Sequence, residues 1–290
     1  MRRDPRSAGP KPPFPKQQQS APGATHAVDP VPDHGERSYR GSGKLEGCAA
    51  LVTGADSGIG RAVAIAFARE GADVVLSYLE EHQDARETAR WIQEAGRRAV
   101  LAAGDVAQPE HCRNLVTQTL REFGKLDVLV NNAAFQRTHT KLAEIADEEW
   151  DRTFRTNIYS MFYLSKAAAA AMKPGSAIVN TTSINAKSPS AELLAYATTK
   201  GAIANFTAGL AQLLATEGIR VNAVAPGPVW TPLIPSTMPA EKVAHFGENT
   251  ALQRPAQPAE LAPAYVWLAS DEASYVTGSI LPVTGGRPML

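Results

Sequence analysis

The chain is 290 residues long, 44% hydrophobic and 20% charged, which suits one large domain with a sizeable core plus an appendage. Twenty-nine basic residues balance 29 acidic ones, so the charge gives no reason to expect nucleic acid or an anionic membrane as a partner. Two cysteines, Cys48 and Cys112, lack paired spacing; they argue against a disulfide scaffold or a zinc site and read as small packed hydrophobes in a reducing cytosol.

The sequence opens with Arg2-Arg3, but residues 4–39 contain no apolar run of the roughly 7–15 residues that an export signal needs. No later apolar run approaches the ~20 residues that span a bilayer, and the expectation is a cytoplasmic protein. Residues 1–44 are rich in proline and poor in aliphatic side chains, so they cannot build a core of their own. Composition favours a disordered tail. The alternative is an extended arm whose aromatics, Phe14 and Tyr39, dock on a neighbouring subunit.

From Lys44 onward, apolar strand patterns alternate with amphipathic helix patterns. Strands are predicted over 49–53, 73–77, 99–104, 128–131, 177–180, 221–225 and 280–283. Helices are predicted over 59–70, 83–95, 109–123, 148–172, 196–217 and 259–270, several of them closed by a glycine such as Gly71 or Gly124. This alternation predicts an α/β domain over 45–290: a doubly wound parallel sheet of seven strands with helices on both faces. Residues 226–258 break the rhythm with many prolines and a short helical pattern near 241–246, as a lid or binding loop would.

Two stretches carry most of the functional signal. Thr53-Gly54-Ala55-Asp56-Ser57-Gly58-Ile59-Gly60 links the first strand to the first helix; its glycines permit a sharp turn, and the helix amides behind it point at a diphosphate. Tyr196-Ala197-Thr198-Thr199-Lys200 puts a phenol and an ammonium on one helix face. Ser183 ends the fifth strand 13 residues before that tyrosine. Asp105-Val106, Asn131-Asn132-Ala133-Ala134 and Pro226-Gly227, the last followed by Val229 and Thr231, mark the ends of three other strands. None of the six histidines has metal-ligand spacing, and no metal is expected.

In this order and spacing the motifs resemble the short-chain dehydrogenase/reductase family, a Rossmann-type fold, over roughly residues 45–286. Ala134 departs from the family's usual glycine. The resemblance implies a nicotinamide dinucleotide held by Gly54, Ser57, Gly58, Ile59, Gly60, Tyr78, Asp105, Val106, Asn132, Ala133, Ala134, Pro226, Gly227, Val229 and Thr231, together with Tyr196 and Lys200. It implies that Asp105 accepts from the adenine amino group and that Thr231 holds the nicotinamide carboxamide. It also implies a catalytic quartet of Asn157, Ser183, Tyr196 and Lys200, in which Asn157 locally opens a helix and holds a relay water. Tyr196 would act as general acid/base. Shifting its phenol from near 10 toward neutrality takes about 3–4 kcal/mol, and a cation ~4 Å away at an effective dielectric of 20 supplies around 4 kcal/mol. On that expectation Lys200, joined by the positive nicotinium ring when the cofactor is oxidised, lowers the phenol, and Tyr196 sets the alkaline limb of the reduction profile below its free value.

Ser183, Gln136, Tyr196 and Trp230, with His139, Ile184, Leu193 and the loop over 232–251, are expected to line a largely uncharged substrate pocket for an aldehyde, ketone or alcohol. Enoyl reductases of related architecture separate tyrosine and lysine by six residues; the spacing of three here favours carbonyl or alcohol chemistry. Two alternatives stay open: a 3-oxoacyl-(acyl-carrier-protein) ketoreductase, and a dinucleotide-sensing binding protein without chemistry. For the cofactor, either NAD or NADP fits; Tyr78 stands where an acid would favour NAD, with Glu80 and Glu81 close by and no arginine at Ser57, and the lean is to NAD. Pro13-Phe14-Pro15, Pro30-Val31-Pro32-Asp33 and the segment from Tyr39 to Leu45 are similar to the arm of bacterial general-stress-type oxidoreductases of the family. That similarity implies a homotetramer in which the arm takes part.

Overall fold

The computed structural model describes residues 4–289; the Arg2-Arg3 pair lies outside them. Seven strands, β1 (Ala49–Thr53), β2 (Asp73–Tyr78), β3 (Ala99–Ala103), β4 (Val128–Asn131), β5 (Ala177–Thr181), β6 (Arg220–Pro226) and β7 (Ile280–Val283), form one parallel sheet in the order β3-β2-β1-β4-β5-β6-β7. The chain winds outward from β1 through β3, then crosses back to β4 on the other side of β1. That reversal leaves a crevice at the carboxyl ends of β1 and β4, where open α/β sheets bind ligands.

The helices α1 (Gly58–Arg69), α2 (His82–Glu94), α3 (Pro109–Phe123), α4 (Asp147–Phe154), α5 (Ser160–Ala169), α6 (Leu194–Leu214), α7 (Leu233–Thr237), α8 (Ala240–Ala244) and α9 (Pro258–Ala269) cover both faces. Because side chains alternate along a strand, β1 feeds two cores. Ala50 and Val52 pack with Phe67 of α1 and Leu261 of α9 on one face. Leu51 packs with Leu115 of α3 and Leu164 of α5 on the other. Every residue of β1 is therefore buried, which is why it reads as an unbroken apolar run.

The helix expected over 148–172 is not continuous. Between α4 and α5 the backbone widens into one π turn, Arg155–Tyr159. Asn157 lies in this turn with its side chain fully engaged: Nδ2 donates to the Phe135 carbonyl (2.9 Å) and to Thr199 Oγ1 (3.1 Å), and Oδ1 accepts from the Phe135 amide (2.7 Å). Wide turns of this kind are frequent where a helix serves a site.

Residues 4–44 pack along the chain's own body, and the two aromatics expected to dock on a neighbouring subunit are used internally. Phe14 is buried against Trp230, with ring centroids 4.2 Å apart. Tyr39 donates its hydroxyl to Glu70 (2.5 Å), whose carboxylate also accepts from the amides of Ser42 and Lys44 (2.8 and 3.0 Å). Gly41 is obligatory in this crossing, since a Cβ there would lie 1.8 Å from the Arg69 carbonyl oxygen. Among the described residues, no helix is long and apolar enough to cross a membrane.

Candidate active site

A cleft of about 880 Å³ opens over the carboxyl ends of the strands, and most of the expected site residues line it. Its floor begins at the β1–α1 turn. A Cβ on Gly60 would meet the Gly54 carbonyl oxygen at 1.9 Å, so the turn can close only on glycine. Gly58, at φ +52°, approaches Thr231 so closely that a Cβ would lie 3.1 Å from its methyl group. The resulting hollow at the start of α1, shaped by these glycines, fits a diphosphate. Asn132 holds it from the side: Nδ2 donates to the carbonyls of Thr53 (3.0 Å) and Gly54 (3.2 Å), while Thr53 Oγ1 accepts the amides of Asn132 and Ala133.

At one end of the cleft stand Tyr78, Glu80, Glu81, Asp56 and Asp105. The Tyr78 hydroxyl sits 3.0 Å from His82 Nδ1. Burial pushes the Asp56 carboxyl above its ordinary range. Asp105 Oδ1 accepts the Ala107 amide (2.9 Å) and Oδ2 pairs with Arg152, a residue of α4 that the sequence reading did not single out. Nothing local in the sequence marks Arg152; it meets Asp105, 47 residues away along the chain, only once the chain is folded.

At the other end lie Ser183, Tyr196 and Lys200. Thr182 Oγ1 donates to the Lys200 carbonyl (2.7 Å), which locks the end of β5 to α6. Lys200 Nζ is buried, donates to the Thr181 carbonyl (2.8 Å) and lies 5.1 Å from the centre of the Tyr196 ring. Ser183 Oγ accepts the Asn185 amide (3.1 Å). The electrostatics correct one expectation. Burial pushes the Tyr196 phenol up to about 12, against the opposing hydrogen bond with Ser183, rather than down toward neutrality. Lys200 does not offset this, because the same burial brings its ammonium down to about 7.

The substrate end contains a second correction. Gln136 does line the cleft and donates through Nε2 to Thr237 Oγ1 (2.8 Å). Trp230 does not: it is wholly buried, turned outward onto Phe14 and Val28, with Nε1 donating to the Pro30 carbonyl (2.7 Å). His139 is also drawn elsewhere, to Glu149 at 2.7 Å. The wall is made by Met238 and Phe246 of the expected loop, by Phe135, and by Ala21 and Pro22 of the N-terminal segment. No sequence signal places residues 21 and 22 here. Asn157 stands behind the cleft rather than in it, and its amide is committed to Phe135 and Thr199. Cys112 is buried, donates to the Val106 carbonyl (3.1 Å) and has its thiol pushed up to about 12 by burial, as a packed small hydrophobe should.

A doubly wound sheet with a glycine-only turn at its switch point and a Ser–Tyr–Lys cluster beside it defines a dinucleotide-fold oxidoreductase. A family model described as enoyl-(acyl carrier protein) reductase matches residues 54–287. General stress protein 39 of Bacillus subtilis is 52% identical over 275 residues, covering 94% of this chain and 96% of that protein. Glucose and ribitol dehydrogenase of Daucus carota is 46% identical over 278 residues, covering 94% and 96%. The crystal structure of a short-chain dehydrogenase from Burkholderia cenocepacia in complex with NADP superposes with a TM-score of 0.79 at 34% identity, over 84% of this chain and 98% of that one. The chain belongs to the short-chain dehydrogenase/reductase family, oxidoreductases that act on CH–OH groups.

Proposed function

We propose that this protein interconverts an aldehyde or ketone and the corresponding alcohol, with Tyr196 as general acid/base and a nicotinamide dinucleotide as hydride carrier. The observation that carries the reading is the Ser183–Tyr196–Lys200 cluster at the floor of a cleft whose other end is a glycine cradle. The dinucleotide, when bound, supplies or accepts the hydride. Gly54, Gly58 and Gly60 shape the seat for its diphosphate, and Asp105 and Tyr78 face its adenosine end. Ser183 offers a hydroxyl to the substrate oxygen, where charge develops in the transition state. Tyr196 is held neutral by burial, so it has a proton to give that oxygen during reduction. Lys200 places a cation next to the phenolate that remains.

The family model's description as an enoyl reductase raises a second reading, which the cluster disfavours: Tyr196 and Lys200 are one helical turn apart, and Ser183 stands beside them. The substrate end presents Gln136, Asn185, Ser188, Ser190 and Thr237 among apolar groups. Such neutral hydrogen-bonding groups suit hydroxylated carbonyls, in keeping with the name of the carrot relative. NAD is the proposed preference, since the acids Glu80 and Glu81 would repel a 2′-phosphate. Residues 1–44 are taken as an arm on a catalytic domain of residues 45–290, in a cytoplasmic homotetramer. The test is oxidation of NADH and NADPH across a panel of short aldehydes, hydroxyaldehydes, ketones and an acyl thioester. Turnover confined to the carbonyl compounds supports the proposal; turnover of enoyl or acyl thioesters alone would replace it.

A further inference from the structure

The N-terminal segment is bonded at several points to the short helices that roof the substrate end. The Phe14 amide donates to the Ala244 carbonyl at the end of α8 (2.8 Å), and the Gln19 amide donates to the Pro235 carbonyl in α7 (2.9 Å). Ser236 Oγ donates to the Pro22 carbonyl (3.3 Å). Between these bonds, the Phe14 ring stacks at 29° on Trp230, which is itself in contact with Phe246 at 6.3 Å. α7 and α8 have five residues each, far too few to hold a helix without tertiary support. Their apolar undersides join Phe14, Val28 and Trp230 in a small core of their own, separate from the two that flank the sheet.

From this arrangement we propose that Phe14 is a positioning residue for the substrate: its stack on Trp230 pins α7 and α8, and so fixes the wall formed by Thr237, Met238 and Phe246. The inference rests on the reading of this cleft as the substrate site. It explains why Trp230 faces away from the cleft while sitting one residue before Thr231, which faces into it. It also gives the aromatic at position 14 a task within its own subunit. The diphosphate cradle is built by β1, α1 and the residues just after β4, whereas Phe14 packs in a separate small core with Val28, Trp230, Ile234 and Val243, so substrate and dinucleotide binding should separate when the stack is removed.

The experiment compares Phe14→Ala and Phe14→Leu in the full chain, by hydrogen exchange and by steady-state kinetics with glyceraldehyde. Phe14→Ala should speed amide exchange over 233–246 by about tenfold or more and leave β1 and α1 unchanged, since local opening reports local packing. Its KM for glyceraldehyde should rise about tenfold, with kcat and dinucleotide Kd within about threefold of wild type. Phe14→Leu, which refills much of the space, should recover most of both effects. Exchange over 233–246 at the wild-type rate in Phe14→Ala would overturn the proposal. So would a uniform rise across α1 as well as α7 and α8, because Phe14 would then be a general stabiliser. If the wild type reduces no carbonyl compound, the proposed function fails, while the exchange pattern still decides whether Phe14 pins the wall.

Discussion

Burial acts on Tyr196 and Lys200 from opposite sides, raising the phenol to about 12 and lowering the ammonium to about 7, so both are held neutral more readily than in water. The sign matters for the pH profile. As pH rises, Lys200 loses its proton first, and the cation that supports the developing phenolate goes with it. Reduction measured as kcat/KM should therefore fall as pH rises through about 7, the value of Lys200, rather than at the phenol. Lys200→Arg, which stays charged, should move that limb up by at least about one unit even if its rate is lower. An unmoved limb would assign the titration to another group. Ser183→Ala should lower kcat about a hundredfold, the cost of one donor aimed at developing charge, with dinucleotide affinity retained. The identity of these residues was legible from spacing alone. Their electrostatics were not, because a helix pattern records which face the two groups share and says nothing of how deeply the packing desolvates it.

Strands were the elements that sequence predicted most closely, to within a residue or two, since a parallel strand covered on both faces is apolar throughout. The π turn at Arg155–Tyr159 left no trace in the amphipathic pattern, which runs on through it; only the family resemblance, which implied that Asn157 opens a helix locally, pointed to it, and its cause is tertiary: Asn157 binds the backbone of Phe135 and the side chain of Thr199. Asn157→Ala would leave the half-buried amide and carbonyl of Phe135 without their side-chain partner. The expected loss is about 1–3 kcal/mol in urea denaturation, together with reduced turnover as α6 loses its tie to the cleft wall. A variant as stable as wild type would mean that the clamp contributes little. Trp230 was misread for a related reason. An aromatic just past the Pro226-Gly227 turn sits beside the cleft in sequence, but its stacking partner lies in a segment whose composition resembles a tail.

At the scale of the whole molecule, one topological reversal between β1 and β4 gathers a glycine turn, the ends of five strands and the face of α6 into a single cleft, and the N-terminal segment closes its outer side. The acids Glu80 and Glu81 make a cofactor prediction: kcat/KM with NADH should exceed that with NADPH, and the reverse order would show that they do not face the 2′-position. Trp150, Tyr159 and Phe162 of the α4–α5 region remain 38%, 42% and 48% exposed, a surface suited to the proposed homotetramer. Sedimentation velocity would show it, and a monomer would exclude it. The central claim, that this cleft performs acid/base-assisted hydride transfer, is tested most directly by Tyr196→Phe, with turnover and dinucleotide affinity measured on the same preparation. The substitution removes one hydroxyl and no charge, so turnover should fall by about two to four orders of magnitude while the dinucleotide Kd stays near that of wild type. Wild-type turnover in the phenylalanine variant would contradict the account.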